Sequence, residues 1–138
     1  MPDVLGEILT AIVTPFTERG DVDIRSFRAL ATHLIDHGSD GLVITGTTGE
    51  SPTLSDTERL ALYEAAVDEV GGRATIIAGT GTYSTKQSVD LTRRAHDIGV
   101  DGFLVVTPYY SKPPVRGIVE HFRAIAEDRK STRLNSSH

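Results

Sequence analysis

Two threonines between two glycines, Gly46-Thr47-Thr48-Gly49, follow the apolar run Leu42-Val43-Ile44 and precede Glu50-Ser51. This stretch contains no cysteine, histidine or lysine. It offers hydroxyls and backbone N–H groups that small residues leave uncovered, which suits it to grip a small anion or carbonyl compound rather than to attack one. Threonine is stiff and poor in a tight turn unless its hydroxyl is engaged, although a capped turn before the next helix accounts for the pair equally well. Glu50 has the chemistry of a general acid or base, but a carboxylate between a loop and a helix start reads first as structural. Tyr109-Tyr110, ahead of Ser111-Lys112-Pro113-Pro114, has two readings: loop packing, or one phenol in a site and the other in an interface. Gly79-Thr80-Gly81-Thr82-Tyr83-Ser84 approaches a dinucleotide fingerprint, but Ser84 stands where the third glycine belongs, so a plain tight turn is the better reading. His33 and His37 share a helix face. Leu34 occupies the place where a zinc protease needs glutamate, and no third ligand is evident, so both read as solvated side chains.

These groups sit at the ends of a repeating strand–helix pattern. Ile8–Val13 is a short strand-like run. Phe27, Leu30, Ala31, Leu34 and Ile35 then recur at helical spacing over Ile24–His37, with Gly38 as the stop. Leu42–Ile44 reads as a strand. Ser55-Asp56-Thr57-Glu58 is a capping box opening a helix to about Val70, with Gly71-Gly72 beyond it. Ala74–Ala78 is a third strand. Ser84-Thr85-Lys86-Gln87 repeats the capping pattern ahead of a helix to about Ile98. Phe103–Val106 is a fourth strand, and Ile118, Phe122, Ile125 and Ala126 mark a fourth helix. Two junctions nearly coincide, Gly38-Ser39-Asp40-Gly41 and Gly99-Val100-Asp101-Gly102. Solidly apolar strands such as Phe103–Val106 point to burial on both faces and a parallel sheet. An open doubly wound sheet and a closed (β/α)8 barrel both use this alternation, and both gather chemistry at the C-terminal ends of the strands. Those ends are rich in hydroxyls and glycines here: Thr14-Pro15, Thr45–Glu50, Gly79–Tyr83 and Thr107–Tyr110.

The bulk properties narrow the function classes. The chain has 138 residues, 38% of them hydrophobic and 24% charged, with a net charge of −5. One modest domain fits that length, and the negative charge argues against nucleic acid or an anionic membrane as the main partner. Cysteine is absent, which removes disulfides, thiolate metal sites and a thiol nucleophile. The first residues carry Asp3 and Glu7 without the basic start of a signal peptide, and no apolar run approaches the ~20 residues of a membrane span. A soluble cytoplasmic protein is the resulting expectation.

The motifs GTTGES, IIAGTG and VTPYYSKP, at these separations, resemble the dihydrodipicolinate synthase family. That family lies within a wider group of pyruvate-dependent class I aldolases and lyases that includes N-acetylneuraminate lyase. The AIVTPF opening and the HFRAIAE segment are similar to the family too, so the resemblance spans about Ile8 to Asp128. GTTGE and TPYY favour the synthase over the neuraminate lyases, which more often carry serine in the first loop. The resemblance implies an α/β fold, a (β/α)8 TIM barrel, of which residues 1–129 supply about the first four βα units. It also implies a lyase that condenses pyruvate with aspartate semialdehyde on the route to lysine and diaminopimelate. Pyruvate would form a Schiff base with a lysine, with no cofactor and no metal. Thr48 would bind the pyruvate carboxylate, and Thr47 and Tyr110 would pass protons as catalytic residues. The complete protein is expected to be a homo-oligomer with Tyr109 and Tyr110 near the subunit interface.

Several positions depart from the family pattern. The lysines are Lys86, Lys112 and Lys130, and none follows a buried strand where desolvation would prepare an amine for imine formation. Residues 130–138 do not read as a fifth strand and are expected to be a non-native tail. At the family's lysine-feedback site, Ser51 and Tyr109 match. Tyr83 and Gln87 replace an amide and a carboxylate, and Arg59 replaces a histidine. The alternatives are another aldolase of the same group, a nucleotide-binding module built on Gly79–Ser84, and a non-catalytic half-barrel that pairs with other chains.

Overall fold

The computed structural model describes residues 5–128 and the backbone of 135–137. Five parallel strands lie in sequence order, β1 (Leu9–Ala11), β2 (Gly41–Ile44), β3 (Thr75–Gly79), β4 (Gly102–Val106) and β5 (Asn135–Ser137). Helices α1 (Ile24–Asp36), α2 (Asp56–Val70), α3 (Thr85–Ile98) and α4 (Val115–Ala126) connect them. A doubly wound sheet reverses its strand order at a switch point. Here the order never reverses, and each helix packs on the next. That is the arrangement of a barrel wall.

Local chemistry sets the helix ends. Asp23 caps α1 by accepting the Ser26 amide at 3.0 Å, and Gly38 takes the left-handed turn beyond it at φ +113°. The expected box at α2 is complete: Ser55 accepts from the Glu58 amide at 3.1 Å, and Glu58 accepts from the Ser55 amide at 2.8 Å. The second box is only half formed. Ser84 accepts from the Gln87 amide at 3.2 Å, but the Gln87 side chain donates to Asp56 at 2.8 Å instead of turning back. A charged acceptor on the neighbouring helix is the stronger partner for a carboxamide.

The core fills the space between sheet and helices. Phe27 of α1, Leu62 and Tyr63 of α2, and Leu42, Ile44, Ile76 and Phe103 of the sheet are all buried. Of the four strands β1 to β4, only β3 is buried along its whole length. In β4, Phe103 and Val105 are buried, whereas Leu104 and Val106 are half-exposed on the opposite face. The burial of both faces expected for this strand is therefore one-sided: its inner face opens into a cleft. The two similar junctions do the same job. Asp40, just before β2, accepts from the Glu7 and Ile8 amides at 2.9 and 2.8 Å. Asp101, just before β4, accepts from the Ile76 amide at 2.8 Å. Each aspartate ties down the base of the preceding strand as the chain turns into the next.

The tail departs from its sequence reading. Asn135–Ser137 pairs in parallel with β4, with Asn135 opposite Leu104. The segment has no apolar signature, but β4 presents a free row of backbone donors and acceptors, and pairing with such an edge needs backbone rather than side chains. Residues 129–134 and His138 lie outside the described residues. No helix among the described residues is long and apolar enough to cross a membrane.

Candidate active site

The loop after β2 is fixed at both ends. At its start Thr45 is 2% exposed and left-handed, with φ +53°, an outlying conformation for a β-branched residue. Its hydroxyl donates to the Gly79 carbonyl at 2.8 Å. Tyr63 donates to the same carbonyl at 2.6 Å and stands 3.0 Å from the Thr45 hydroxyl. At the far end of the loop, Thr14 donates to the Gly49 carbonyl at 2.7 Å. Burial pushes the Tyr63 phenol up to about 12, so it remains a neutral donor through the ordinary working range. Gly79 is required at the close approach, because a Cβ there would lie 2.4 Å from the Thr45 carbonyl oxygen.

Between these anchors the chain turns tightly. The Gly49 and Ser51 amides donate to the Gly46 carbonyl at 3.1 and 3.4 Å, and the Glu50 amide donates to the Thr47 carbonyl at 3.0 Å. Thr47 and Thr48 are exposed. Their hydroxyls and amides have no hydrogen-bond partner among the described residues. A rigid turn thus presents two hydroxyls and two amides, the donor set that the sequence suggested for a small anion.

Beneath the turn lies a cleft of about 290 Å³, walled by Thr47, Ser51, Gly81, Leu104, Val106 and Tyr109, among others. It lies at the C-terminal ends of β2, β3 and β4. The hydroxyls after β3 take no part in it. Thr80 pairs with Thr92 at 2.7 Å, and Ser88 accepts the Thr82 amide at 2.8 Å. Gly81 permits the loop to pass β4, because a Cβ there would stand 2.4 Å from the Val106 amide nitrogen. These are structural roles, as the plain-turn reading of Gly79–Ser84 expected.

The two tyrosines after β4 part company. Tyr109 lines the cleft and stacks on Tyr83 with ring centres 5.3 Å apart. Tyr110 meets Tyr83 edge-on at 6.4 Å, is 87% exposed and is left-handed at φ +67°. It makes no hydrogen bond to Thr47 among the described residues. Thr47 and Thr48 therefore stand together, and Tyr110 is exposed without a hydrogen bond to either among the described residues. Glu50 and Lys112 are the remaining left-handed non-glycines among the described residues, at φ 60° and 48°. All four such residues lie in the loops after β2 and β4. Backbone strain of this kind concentrates at functional sites.

Other candidates resolve differently. His33 and His37 stack on each other, with ring centres 4.1 Å apart on an exposed face. Arg59 is 2% exposed and donates through Nη2 to the Ser51 carbonyl at 2.7 Å. Lys86 and Lys112 are exposed, and neither lines the cleft. The sequence reading placed Thr14 and Thr45 among the hydroxyl-rich strand ends without a role for either, and it missed Tyr63. Each works through a partner distant in the chain.

Residues 4–135 match the dihydrodipicolinate synthetase family. The chain belongs to that family. It is 56% identical over 122 residues to the 4-hydroxy-tetrahydrodipicolinate synthase of Desulforudis audaxviator, covering 88% of this chain and 42% of that protein. The crystal structure of the dihydrodipicolinate synthase from Bacillus anthracis superposes with a TM-score of 0.89 at 45% identity, over 95% of this chain and 45% of the other. The dihydrodipicolinate synthase from Acinetobacter baumannii, solved in complex with pyruvate, gives a TM-score of 0.90 at 39% identity, again over 95% of this chain and 45% of its own. The chain thus spans less than half the length of the relatives it matches. Its sheet and helices are the first four βα units of the (β/α)8 barrel of dihydrodipicolinate synthetases.

Proposed function

We propose that the protein to which this chain belongs is a 4-hydroxy-tetrahydrodipicolinate synthase, a class I aldolase-type lyase that condenses pyruvate with aspartate semialdehyde. The observation that carries this reading is the turn pinned at Thr45 and Gly49, which holds out the unpartnered amides and hydroxyls of Thr47 and Thr48 at the strand ends. In the proposed reaction a lysine amine adds to the pyruvate ketone and water leaves, giving the Schiff base. Loss of a methyl proton gives the enamine, whose carbon then bonds to the aldehyde. Thr48 holds the pyruvate carboxylate through hydroxyl and amide. Thr47 and Tyr110 move protons as links in a hydroxyl chain, which needs no charged base once each link has a fixed partner; neither hydroxyl has one among the described residues, so in this proposal the rest of the assembled protein supplies them. The amine comes from a residue beyond the four strand ends described, since Lys86 and Lys112 stand away from the cleft.

The exposure of Tyr110 supports a second part of the proposal. A left-handed, exposed tyrosine edge-on to the half-exposed Tyr83 fits a subunit interface, and a homo-oligomer follows with Tyr109 and Tyr110 near it. Neither nucleic acid nor membrane enters this reading, and a cytoplasmic location accords with it.

Borohydride reduction of the full-length protein with pyruvate tests the chemistry. The expected product is one reduced pyruvyl adduct per chain, on a lysine other than Lys86 or Lys112. Absence of any adduct removes the Schiff-base reading. Turnover with N-acetylmannosamine in place of aspartate semialdehyde would move the protein to the neuraminate lyases.

A further inference from the structure

The Thr45–Tyr63–Gly79 cluster poses a problem of proton counting. Three short contacts link two hydroxyls and one carbonyl: Tyr63 to Gly79 at 2.6 Å, Thr45 to Gly79 at 2.8 Å, and Thr45 to Tyr63 at 3.0 Å. Only two protons are available. When both hydroxyls donate to Gly79 they fill the two lone pairs of its carbonyl, and the third contact shares a proton already in use. Both hydroxyl-bearing residues are almost wholly buried, at 2% for Thr45 and 0% for Tyr63, so water does not supply an alternative partner. All of this bonding bears on the residue that enters the loop in a left-handed conformation, the costly one for threonine.

We propose that Tyr63 is a positioning residue for the substrate grip: with Thr45 it locks the left-handed entry of the loop Gly46–Ser51 onto the Gly79 carbonyl, and so fixes where the Thr47 and Thr48 donors point. The inference rests on the pyruvate reading above and assigns Tyr63 no contact with substrate. Tyr63 lies on α2 and is absent from the cleft wall, so it acts through Thr45. Its bonding distinguishes it from a member of the proton chain: the phenol contacts the Gly79 carbonyl and the Thr45 hydroxyl, and among the described residues neither leads on to the Thr47 hydroxyl.

The test uses the full-length protein. Turnover of the wild type with pyruvate and aspartate semialdehyde decides the pyruvate reading by itself, and ratios between variants decide the positioning. Tyr63→Phe keeps the ring and removes the hydroxyl. A hydrogen bond of this kind contributes about three- to tenfold, and the expected result is a rise of that size in the KM for pyruvate. The pH profile stays where it was. Thr45→Val reproduces the rise and Thr45→Ser does not. The deciding measurement is the double variant: glycine accepts φ +53° without strain, so in a Thr45→Gly background Tyr63→Phe leaves the KM unchanged. If the reading of the reaction fails, the same comparison is made on amide hydrogen exchange at Gly49, Glu50 and Ser51. Tyr63→Phe then accelerates exchange by about the same factor in the wild type and leaves it unchanged in the Thr45→Gly background. An unchanged loop in Tyr63→Phe, or an equal effect in both backgrounds, overturns the proposal and leaves Tyr63 a packing residue.

Discussion

The Thr14 hydroxyl donates to the Gly49 carbonyl across a buried 2.7 Å contact, joining the end of β1 to the far side of the loop that follows β2. Thr14→Val keeps the shape of the side chain and strands the carbonyl. A buried acceptor left without a partner costs about 1–3 kcal/mol. Thermal unfolding of the full-length variant should show that loss, together with weaker pyruvate binding. Unchanged stability would mean that the carbonyl finds another donor.

Gly79→Ala places a methyl group where the Thr45 carbonyl oxygen would lie 2.4 Å away. Backbone atoms yield poorly, so β2 and β3 must separate at their C-terminal ends. Overpacking of this kind costs about 1–3 kcal/mol. The expected outcome is a lowered Tm with pyruvate affinity reduced further than in Thr14→Val. A variant with wild-type Tm and affinity would contradict the close approach.

Tyr110→Phe and Thr47→Val each remove one hydroxyl from the proposed proton chain. Loss of a general acid–base link costs ~10²–10⁴-fold in rate. The kcat should fall by that order while borohydride trapping of pyruvate persists. Thr48→Val should instead raise the pyruvate KM. Steady-state kinetics beside mass measurement separates the two effects, and near-wild-type turnover in Tyr110→Phe would release that residue from the chain.

His121 on α4 is 3% exposed and sits 2.8 Å from the Thr85 hydroxyl through Nδ1, while its buried Nε2 has no partner among the described residues. Burial lowers its proton affinity below the ordinary 6.5. Below that pH the unfolded chain takes up a proton that the folded chain refuses. The native state is thus favoured above 6.5 and loses stability as pH falls towards the depressed folded value. His121→Gln should flatten this part of the stability curve, measured by denaturant unfolding at stepped pH.

Asp40 adds a second, more acidic limb. The Ile8 and Glu7 amides hold its carboxyl below the ordinary 3.8. Its stabilising effect is complete above 3.8 and disappears as pH drops through the lower folded value. Asp40→Asn should remove the limb from the acid unfolding curve, and retention of the limb would assign it to other carboxylates.

The frame was legible because its signals are local. Ser55 and Glu58 lie one helical turn apart, Gly38 and Gly99 mark helix ends, and the repeated Asp40-Gly41 and Asp101-Gly102 junctions announce equivalent turns. The Thr47-Thr48 pair was legible as well, since stiff residues between glycines raise a local question. The supports were not. Tyr63 reads as one more apolar position on a buried helix, and only the folded chain brings it to Gly79. The left-handed turn at Thr45 runs against its own propensity and is held by partners from two elements, Tyr63 of α2 and Gly79 of β3. Asn135–Ser137 carries no strand signal because an open edge recruits it through backbone alone. Gln87 left its expected cap for Asp56, a choice made between helices.

The left-handed residues have a consequence for how such a protein changes over generations. Among the described residues, all four non-glycines with positive φ follow the even-numbered strands β2 and β4. The odd-numbered strands supply brackets: Thr14 after β1, Gly79 at the end of β3. Both brackets reach across to the loop after β2, Thr14 to Gly49 and Gly79 to Thr45. A mutation that reshapes Tyr109–Lys112 leaves the brackets intact, whereas one in a bracket disturbs the neighbouring loop. A change in the loop after β4 is thus mechanically separable from the scaffold, and that separation leaves the barrel wall room to vary.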